Sequence, residues 1–326
     1  MSENINAIKL LLSGLALIFV TVSQAEVRRF DVVSVESPAF DGRTFGDVGQ
    51  YQKITAKVTI AIDPDHELNQ GIVDLDIAPV SADGLVEAVA DVVILFPIDL
   101  AKGSGRIFYE VLNRGDKISF IMMNDAPWIA YYTGLDVANG HLMNEGYTVV
   151  WSGWQGDLPP GKNRMTLNVP VLKGVTGLVR DEIVFNHDYN PFVATLSYPA
   201  ATLDTNKATL TVRARQTDPR VTPDDLKFEF FTAARAGIEP YTNEQIVIHR
   251  PAGFDANAIY EFTYEARDPI VMGLAFASVR DLISFLRNDA GDAAGNATPL
   301  LLDGKPATQS SYGMGISQSG RFVRDF

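Results

Sequence analysis

A tight run of small residues around one serine constrains the local fold more than any other segment of this chain. Residues 315–320 read Gly-Ile-Ser-Gln-Ser-Gly; a short apolar run precedes them and a helix-like segment follows. This is the order of a nucleophile elbow, in which a strand turns sharply into a helix and presents a serine hydroxyl above the sheet. Small residues are needed two positions from that serine, because larger ones would clash with the adjoining strand or helix.

Ser317 is the candidate nucleophile of this elbow, and Ser319 is the alternative serine. The register of the segment matches elbows of the form G-x-S-Q-G-G, which places Ser319 at the second small position. The backbone N–H of Gln318 would then supply one oxyanion donor, because the residue after the nucleophile opens the helix. An ordinary Gly/Ser turn between a strand and a helix would explain the same residues without any chemistry.

A second oxyanion donor is expected from the loop after the strand that ends at Leu112. Asn113, Arg114 and Gly115 lie there, and a glycine permits a turn that aims a backbone amide inward. We therefore take the backbone of Gly115 as the second donor. A plain tight turn explains these three residues equally well.

The N-terminus has the pattern of a signal peptide. Lys9 precedes the apolar run of residues 10–22, and Ser23-Gln-Ala25 resembles a cleavage site. The run is shorter than the roughly 20 apolar residues of a membrane span. We therefore expect residues 1–25 to be removed, an exported protein (periplasmic or extracellular), and no stable membrane insertion afterwards.

Composition excludes several classes of function. The chain has no cysteine, so disulfides, thiolate metal sites and a cysteine nucleophile are excluded. A formal net charge of −13 argues against nucleic acid as a partner. His66, His141, His187 and His249 show no metal-ligand spacing, and no phosphate-binding loop is present. We expect neither a metal nor a cofactor.

The hydrophobic pattern divides the chain into three parts. Residues 26–90 alternate as β-strands do and predict a β-rich N-terminal module. From residue 91, apolar strands at 91–96, 106–112 and 147–151 alternate with a helix predicted at 135–144, which indicates an α/β domain with a mostly parallel sheet. A β-rich insertion at about 160–266 interrupts this domain. A second helix is predicted from Asp268-Pro269, and the elbow strand follows at 310–316.

Four segments in this order resemble the bacterial proteins known as alpha/beta hydrolase domain-containing proteins. They are residues 109–115 (Tyr-Glu-Val-Leu-Asn-Arg-Gly), 145–156 (Glu-Gly-Tyr-Thr-Val-Val-Trp-Ser-Gly-Trp-Gln-Gly), 264–269 (Tyr-Glu-Ala-Arg-Asp-Pro) and 315–322 (Gly-Ile-Ser-Gln-Ser-Gly-Arg-Phe). The resemblance implies an alpha/beta-hydrolase fold over residues 91–326 and an exported serine hydrolase acting on an ester or a related acyl bond. It also implies that the sheet continues past Phe326, so that this chain is a truncated fragment, inactive or nearly so alone.

In this design the acid and the histidine of the Ser-His-Asp/Glu triad follow the serine in chain order. All four histidines precede Ser317, so we read them as incidental and expect the catalytic histidine and acid beyond Phe326. The expected partner is a small-molecule, ester-like substrate, and the oligomeric state stays open. A non-catalytic exported binding or structural protein is the main alternative, and a peptidase or acyltransferase with the same triad is another. Trp128, Trp151 and Trp154 would line a substrate cleft or serve as packing.

Overall fold

The computed structural model describes residues 26–128, 136–158, 164–185, 190–232 and 244–326. The expected signal peptide (residues 1–25) and the start of the helix expected at 135–144 lie outside these ranges. The strands are β1 (Glu26–Glu36), β2 (Thr44–Phe45), β3 (Gly49–Ile62), β4 (Val86–Pro97), β5 (Arg106–Val111), β6 (Thr148–Ser152), β7 (Leu167–Asn168), β8 (Thr176–Val184), β9 (Phe192–Thr195), β10 (Thr209–Arg213), β11 (Lys227–Thr232), β12 (Glu244–His249), β13 (Ile259–Arg267), β14 (Leu301–Leu302), β15 (Lys305–Pro306) and β16 (Ser310–Met314). The helices are α1 (Ser119–Met123), α2 (His141–Asn144), α3 (Leu274–Asn288) and α4 (Gln318–Asp325).

An eight-stranded mixed sheet forms the centre of the molecule. Its main strand order is β1-β3-β4-β6-β5-β16, with β2 and β7 attached to β3 and β4. β1, β3, β4 and β6 pair antiparallel, whereas β6, β5 and β16 pair parallel. One edge of the sheet is therefore antiparallel and the other is parallel.

The expected alpha/beta-hydrolase fold is wrong for this structure. The described residues are 39% strand and 17% helix, with four α-helices and several antiparallel sheets. The segment at 91–96 was expected to open a parallel sheet, but it belongs to β4, which pairs antiparallel with both β3 and β6. Apolar continuity shows that a strand is buried on both faces, and it does not determine the direction of its neighbours.

The two predicted helices are also shorter than expected. In the described part of 135–144 only α2 is helical, because Ala138 and Gly140 have φ values of 42° and 72°, outside the helical region. α3 begins at Leu274 rather than at Asp268. Asp268 has φ 53°, and its carboxylate accepts a hydrogen bond from the Gly174 N–H (2.8 Å).

Hydrophobic residues cover both faces of the eight-stranded sheet. On one face α3 packs against the sheet, and the ring of Phe285 stacks on Phe30 with 6.0 Å between centroids. On the other face Trp151 and Tyr51 are fully buried beneath α1 and α2. Within the ranges given above, no helix is long and apolar enough to cross a membrane.

The predicted insertion contains two three-stranded antiparallel sheets, ordered β10-β13-β8 and β11-β12-β9. They enclose a separate hydrophobic cluster whose buried members lie between Phe185 and Ala266. β4 runs across position 90, where the module boundary was drawn, and joins both sides of that boundary to one sheet. The division into module, domain and insertion remains a prediction.

Candidate active site

The parallel edge of the central sheet brings the predicted site segments together. β16 pairs with β5 from Ser310↔Arg106 to Met314↔Glu110, and β5 pairs with β6 in the same direction. Parallel strands end at the same edge of a sheet. The elbow after β16, the turn after β5 and the Trp154 segment after β6 therefore lie at one edge.

Ser317 occupies a strained backbone conformation at the start of α4. Its φ and ψ are 58° and −113°, far from the left-handed helical region that non-glycine residues with positive φ usually adopt. Such a conformation costs about 1–3 kcal/mol and persists only where the surroundings impose it. The residue is exposed, and its hydroxyl has no hydrogen-bond partner in the described residues.

Ser319 and Gly315 impose this conformation. The Ser319 hydroxyl accepts a hydrogen bond from the Ile316 N–H (2.9 Å) and donates one to the Ile316 carbonyl (3.0 Å). A Cβ atom on Gly315 would lie 2.3 Å from the Ser319 carbonyl oxygen. Ser319 is 1% exposed and its hydroxyl is engaged, so it closes the turn while Ser317 points to solvent.

Gln318 is the first residue of α4, as the elbow pattern requires. The first N–H groups of a helix have no acceptor within that helix, and the Gln318 N–H has none elsewhere in the described residues. This amide is free to donate to a developing oxyanion. The Gln318 side-chain oxygen is buried, also without a partner among these residues.

Gly115 lies in a tight turn beside the elbow. The Asp116 N–H donates to the Asn113 carbonyl (3.1 Å), and Arg114 and Gly115 have φ values of 53° and 83°, as in a type I′ turn. A Cβ atom on Gly115 would lie 2.9 Å from the Met165 carbonyl oxygen, so the turn requires glycine here. The role of its amide as an oxyanion donor remains a prediction.

The side chain of Asn113 joins this turn to the elbow. Its Nδ2 donates a hydrogen bond of 2.8 Å to the carbonyl of Ile316, the residue before Ser317. The sequence placed Asn113 in the turn but gave no sign of this contact, because the two residues are 203 positions apart. Asn113 therefore fixes the distance between the two segments that we expect to form the oxyanion hole.

A buried carboxylate under the same edge was missed by the sequence reasoning. Glu110 accepts hydrogen bonds from the backbone N–H groups of Ile118 (2.6 Å) and Ser119 (2.9 Å) and from the Trp151 indole N–H (2.7 Å). Burial raises the pKa of Glu110. The ammonium of Lys117 lies 5.9 Å from the centre of the Trp151 ring, and burial lowers the pKa of this lysine. In a strand that is apolar on both faces, the sequence does not reveal that its one acidic residue is buried as well.

The three tryptophans differ in how far their side chains are buried. Trp151 is fully buried, so it is a packing residue and lines no cleft. Trp154 donates from its indole N–H to the Leu112 carbonyl (2.7 Å), and its ring lies 4.8 Å from that of Phe322. Trp154 thus ties the ends of β5 and β6 to α4. Trp128 is 65% exposed.

None of the histidines in the described ranges has a hydrogen bond to Ser317. His66 Nδ1 accepts from the Leu68 N–H (3.1 Å), and His249 faces Glu229 at 3.4 Å in the predicted insertion. His141 begins α2, and His187 lies outside the described residues. The same ranges contain no group of three or more potential metal ligands.

Comparisons of the chain with protein-family models, curated proteins and solved structures found no match. The family resemblance drawn from the four sequence segments therefore remains an expectation, and the site must be interpreted from its own geometry.

Proposed function

We propose that this chain belongs to an exported serine hydrolase that cleaves a carboxylic ester or a related acyl bond, with Ser317 as the nucleophile. One observation carries the proposal. Ser317 is an exposed serine held at φ 58° and ψ −113°, immediately before a helix. Backbone strain of this kind clusters at functional sites, because a merely structural turn relaxes to a cheaper conformation or uses glycine.

The proposed reaction has two steps. In the first, the Ser317 Oγ attacks the acyl carbon, an imidazole base accepts the hydroxyl proton, and the bond to the leaving alcohol breaks as that alcohol takes the proton. In the second, water attacks the acyl-serine through the same base and releases the carboxylic acid. The Gln318 N–H, together with an amide of the turn at Gly115, would stabilise the oxyanion in both steps.

The general base of this proposal is not one of the described histidines. His66 and His249 are held by other groups, and no hydrogen bond joins His141 to the elbow in the described ranges. The proposal therefore requires an imidazole and a carboxylate partner that the described residues do not supply. An alkyl hydroxyl without such a base is a weak nucleophile at neutral pH.

A fluorophosphonate probe tests the proposal directly, because it reacts with activated serines. The probe is applied to the protein purified from its native source, and the labelled residue is identified by peptide mass spectrometry. We expect a single adduct on Ser317. In the same full-length protein Ser317→Ala should abolish labelling, whereas Ser310→Ala, at the other end of β16, should not.

Absence of an adduct, or an adduct on a serine other than Ser317, would contradict the proposal. The binding-protein alternative would then be favoured by a specific observation, because β8 presents exposed apolar side chains such as Leu178 (80% exposed) and Val184 (57%).

A further inference from the structure

Two arginines without partners lie on the two segments that meet at Ile316, the residue before the candidate nucleophile. Most arginines in the described ranges are held by a carboxylate or a carbonyl; for example, Arg280 pairs with Asp281 (2.7 Å) and Arg324 with Asp325 (2.9 Å). The guanidinium groups without a hydrogen bond or ion pair in these ranges belong to Arg106, Arg114, Arg215 and Arg321. Exposed free arginines are notable in a chain whose net charge is −13.

Arg114 lies in the turn that the Asn113 side chain joins to the elbow. Asn113 precedes Arg114 and donates to the carbonyl of Ile316, which precedes Ser317, so one hydrogen bond of 2.8 Å separates the two segments. Neighbouring Cα atoms are about 3.8 Å apart. Arg114 therefore lies on the segment that is hydrogen-bonded to the residue before Ser317, and its side chain is exposed.

Arg321, the second of these arginines, lies on α4. Its N–H donates to the Ser317 carbonyl (3.3 Å), which places it one turn after the serine, and both residues are exposed. The Cα–Cβ bonds of a helix tilt toward its N-terminus. The Arg321 side chain therefore leans back toward Ser317.

The carboxylates nearest to this pair in sequence are already engaged. Asp116 lies 3.8 Å from Arg164, Asp325 pairs with Arg324, and Glu110 is buried with three donors. No acid of the described residues neutralises Arg114 or Arg321. Two free guanidinium groups on adjoining segments could together bind a planar carboxylate, because arginine binds carboxylates through paired hydrogen bonds.

We propose that the ester cleaved at Ser317 carries a carboxylate close to its scissile carbonyl, and that Arg114 and Arg321 bind this carboxylate. The inference rests on the proposed function and narrows its substrate to anionic esters. It makes both arginines determinants of specificity.

The test compares two esters with the same leaving group and acyl groups of equal length, 4-nitrophenyl hydrogen succinate and 4-nitrophenyl butyrate. The full-length protein is expected to have the higher kcat/KM for the succinate ester. Arg114→Gln and Arg321→Gln should each lower the ratio of the two kcat/KM values about tenfold, since each removes one charge-assisted hydrogen bond. The matched control is Arg106→Gln, a free exposed arginine at the opposite end of β5, which should change neither rate.

An unchanged ratio in both Arg114→Gln and Arg321→Gln overturns the inference and leaves the serine hydrolase proposal intact. If neither ester is cleaved and Ser317 is not labelled, the proposed function fails instead. Calorimetric titration of Ser317→Ala protein with monomethyl succinate then decides on the arginines separately. If the double variant Ser317→Ala/Arg114→Gln binds monomethyl succinate about tenfold more weakly than Ser317→Ala does, the result supports binding of the carboxylate by the two arginines. If Ser317→Ala protein does not bind monomethyl succinate, the inference is overturned.

Discussion

At the scale of single residues, the elbow depends on three small residues, each with a different structural role. Gly315 leaves room for the Ser319 carbonyl, Ser319 closes the turn through both polar groups of Ile316, and Ser317 takes the strained conformation that results. The spacing of these residues could be predicted from the sequence, since steric exclusion acts over two positions. The contact with Asn113 could not, because nothing local encodes a partner on another strand.

Gly315→Ala is expected to lower the free energy of unfolding by about 3 kcal/mol, because the new methyl group overlaps a backbone oxygen that cannot move independently. Gly313, on the strand before the elbow, serves as the control, because a Cβ atom added there would have no other atom within 4 Å. Gly313→Ala should change the free energy by less than about 1 kcal/mol. Chemical denaturation of both variants measures the difference, and equal losses would show that the elbow is not tightly packed.

At the scale of elements, Glu110 connects β5, β6 and α1. Its carboxylate binds two backbone N–H groups at the start of α1 and the indole of Trp151 on β6. Burial raises the pKa of Glu110 above its ordinary value of 4.5. The folded protein therefore binds this proton more tightly than the unfolded chain does.

The pH dependence of this contribution has a definite sign. Because the folded-state pKa is the higher one, the stability that Glu110 contributes is fully present below about pH 4.5 and is lost as the pH rises through the folded-state pKa. We expect the free energy of unfolding of the unmodified protein, relative to Glu110→Gln, to decrease as the pH rises from 4.5. Denaturation at a series of pH values measures it, with Glu145→Gln as a control for the loss of one charge. A difference that grows with pH would show that the three N–H donors outweigh desolvation.

The elements also show where the sequence was informative. Its apolar runs located β5 and β6 to within about two residues, because burial of both strand faces produces a local signal. β16 is only partly buried, and its position followed from the elbow that it precedes. Strand direction was not encoded locally, so β4 was assigned to a parallel sheet in error. The start of α3 was misplaced because Asp268, a good helix cap in isolation, instead bonds to Gly174.

At the scale of the whole molecule, the hydrophobic residues form separate clusters. The cluster between Phe185 and Ala266 is stabilised on one sheet face by Glu261, which pairs with Arg213 (2.8 Å) and Arg220 (2.6 Å). All three tryptophans lie outside this region of the sequence. Tryptophan fluorescence therefore reports on the central sheet, whereas circular dichroism reports on every strand.

Glu261→Gln is expected to destabilise the predicted insertion by about 2 kcal/mol, because it removes the closer charge partner of the buried Arg213 and leaves only Glu182, at 3.7 Å. Arg220 is more exposed and should add little. We expect the midpoint of unfolding by circular dichroism to fall while the fluorescence midpoint stays constant. Glu229→Gln, an exposed glutamate of the same region, is the control. A parallel fall of both midpoints would show that the molecule unfolds as one cooperative unit.

The conformation of Ser317 has a consequence for how such a site persists over generations. Glycine would occupy φ 58° and ψ −113° without the strain that serine carries, and a single substitution would suffice to introduce it. A lineage that no longer needed the hydroxyl would gain stability from that exchange and would have no reason to reverse it. Selection for folding alone would therefore favour glycine at this position, and we expect a serine to persist here only where its oxygen atom is used.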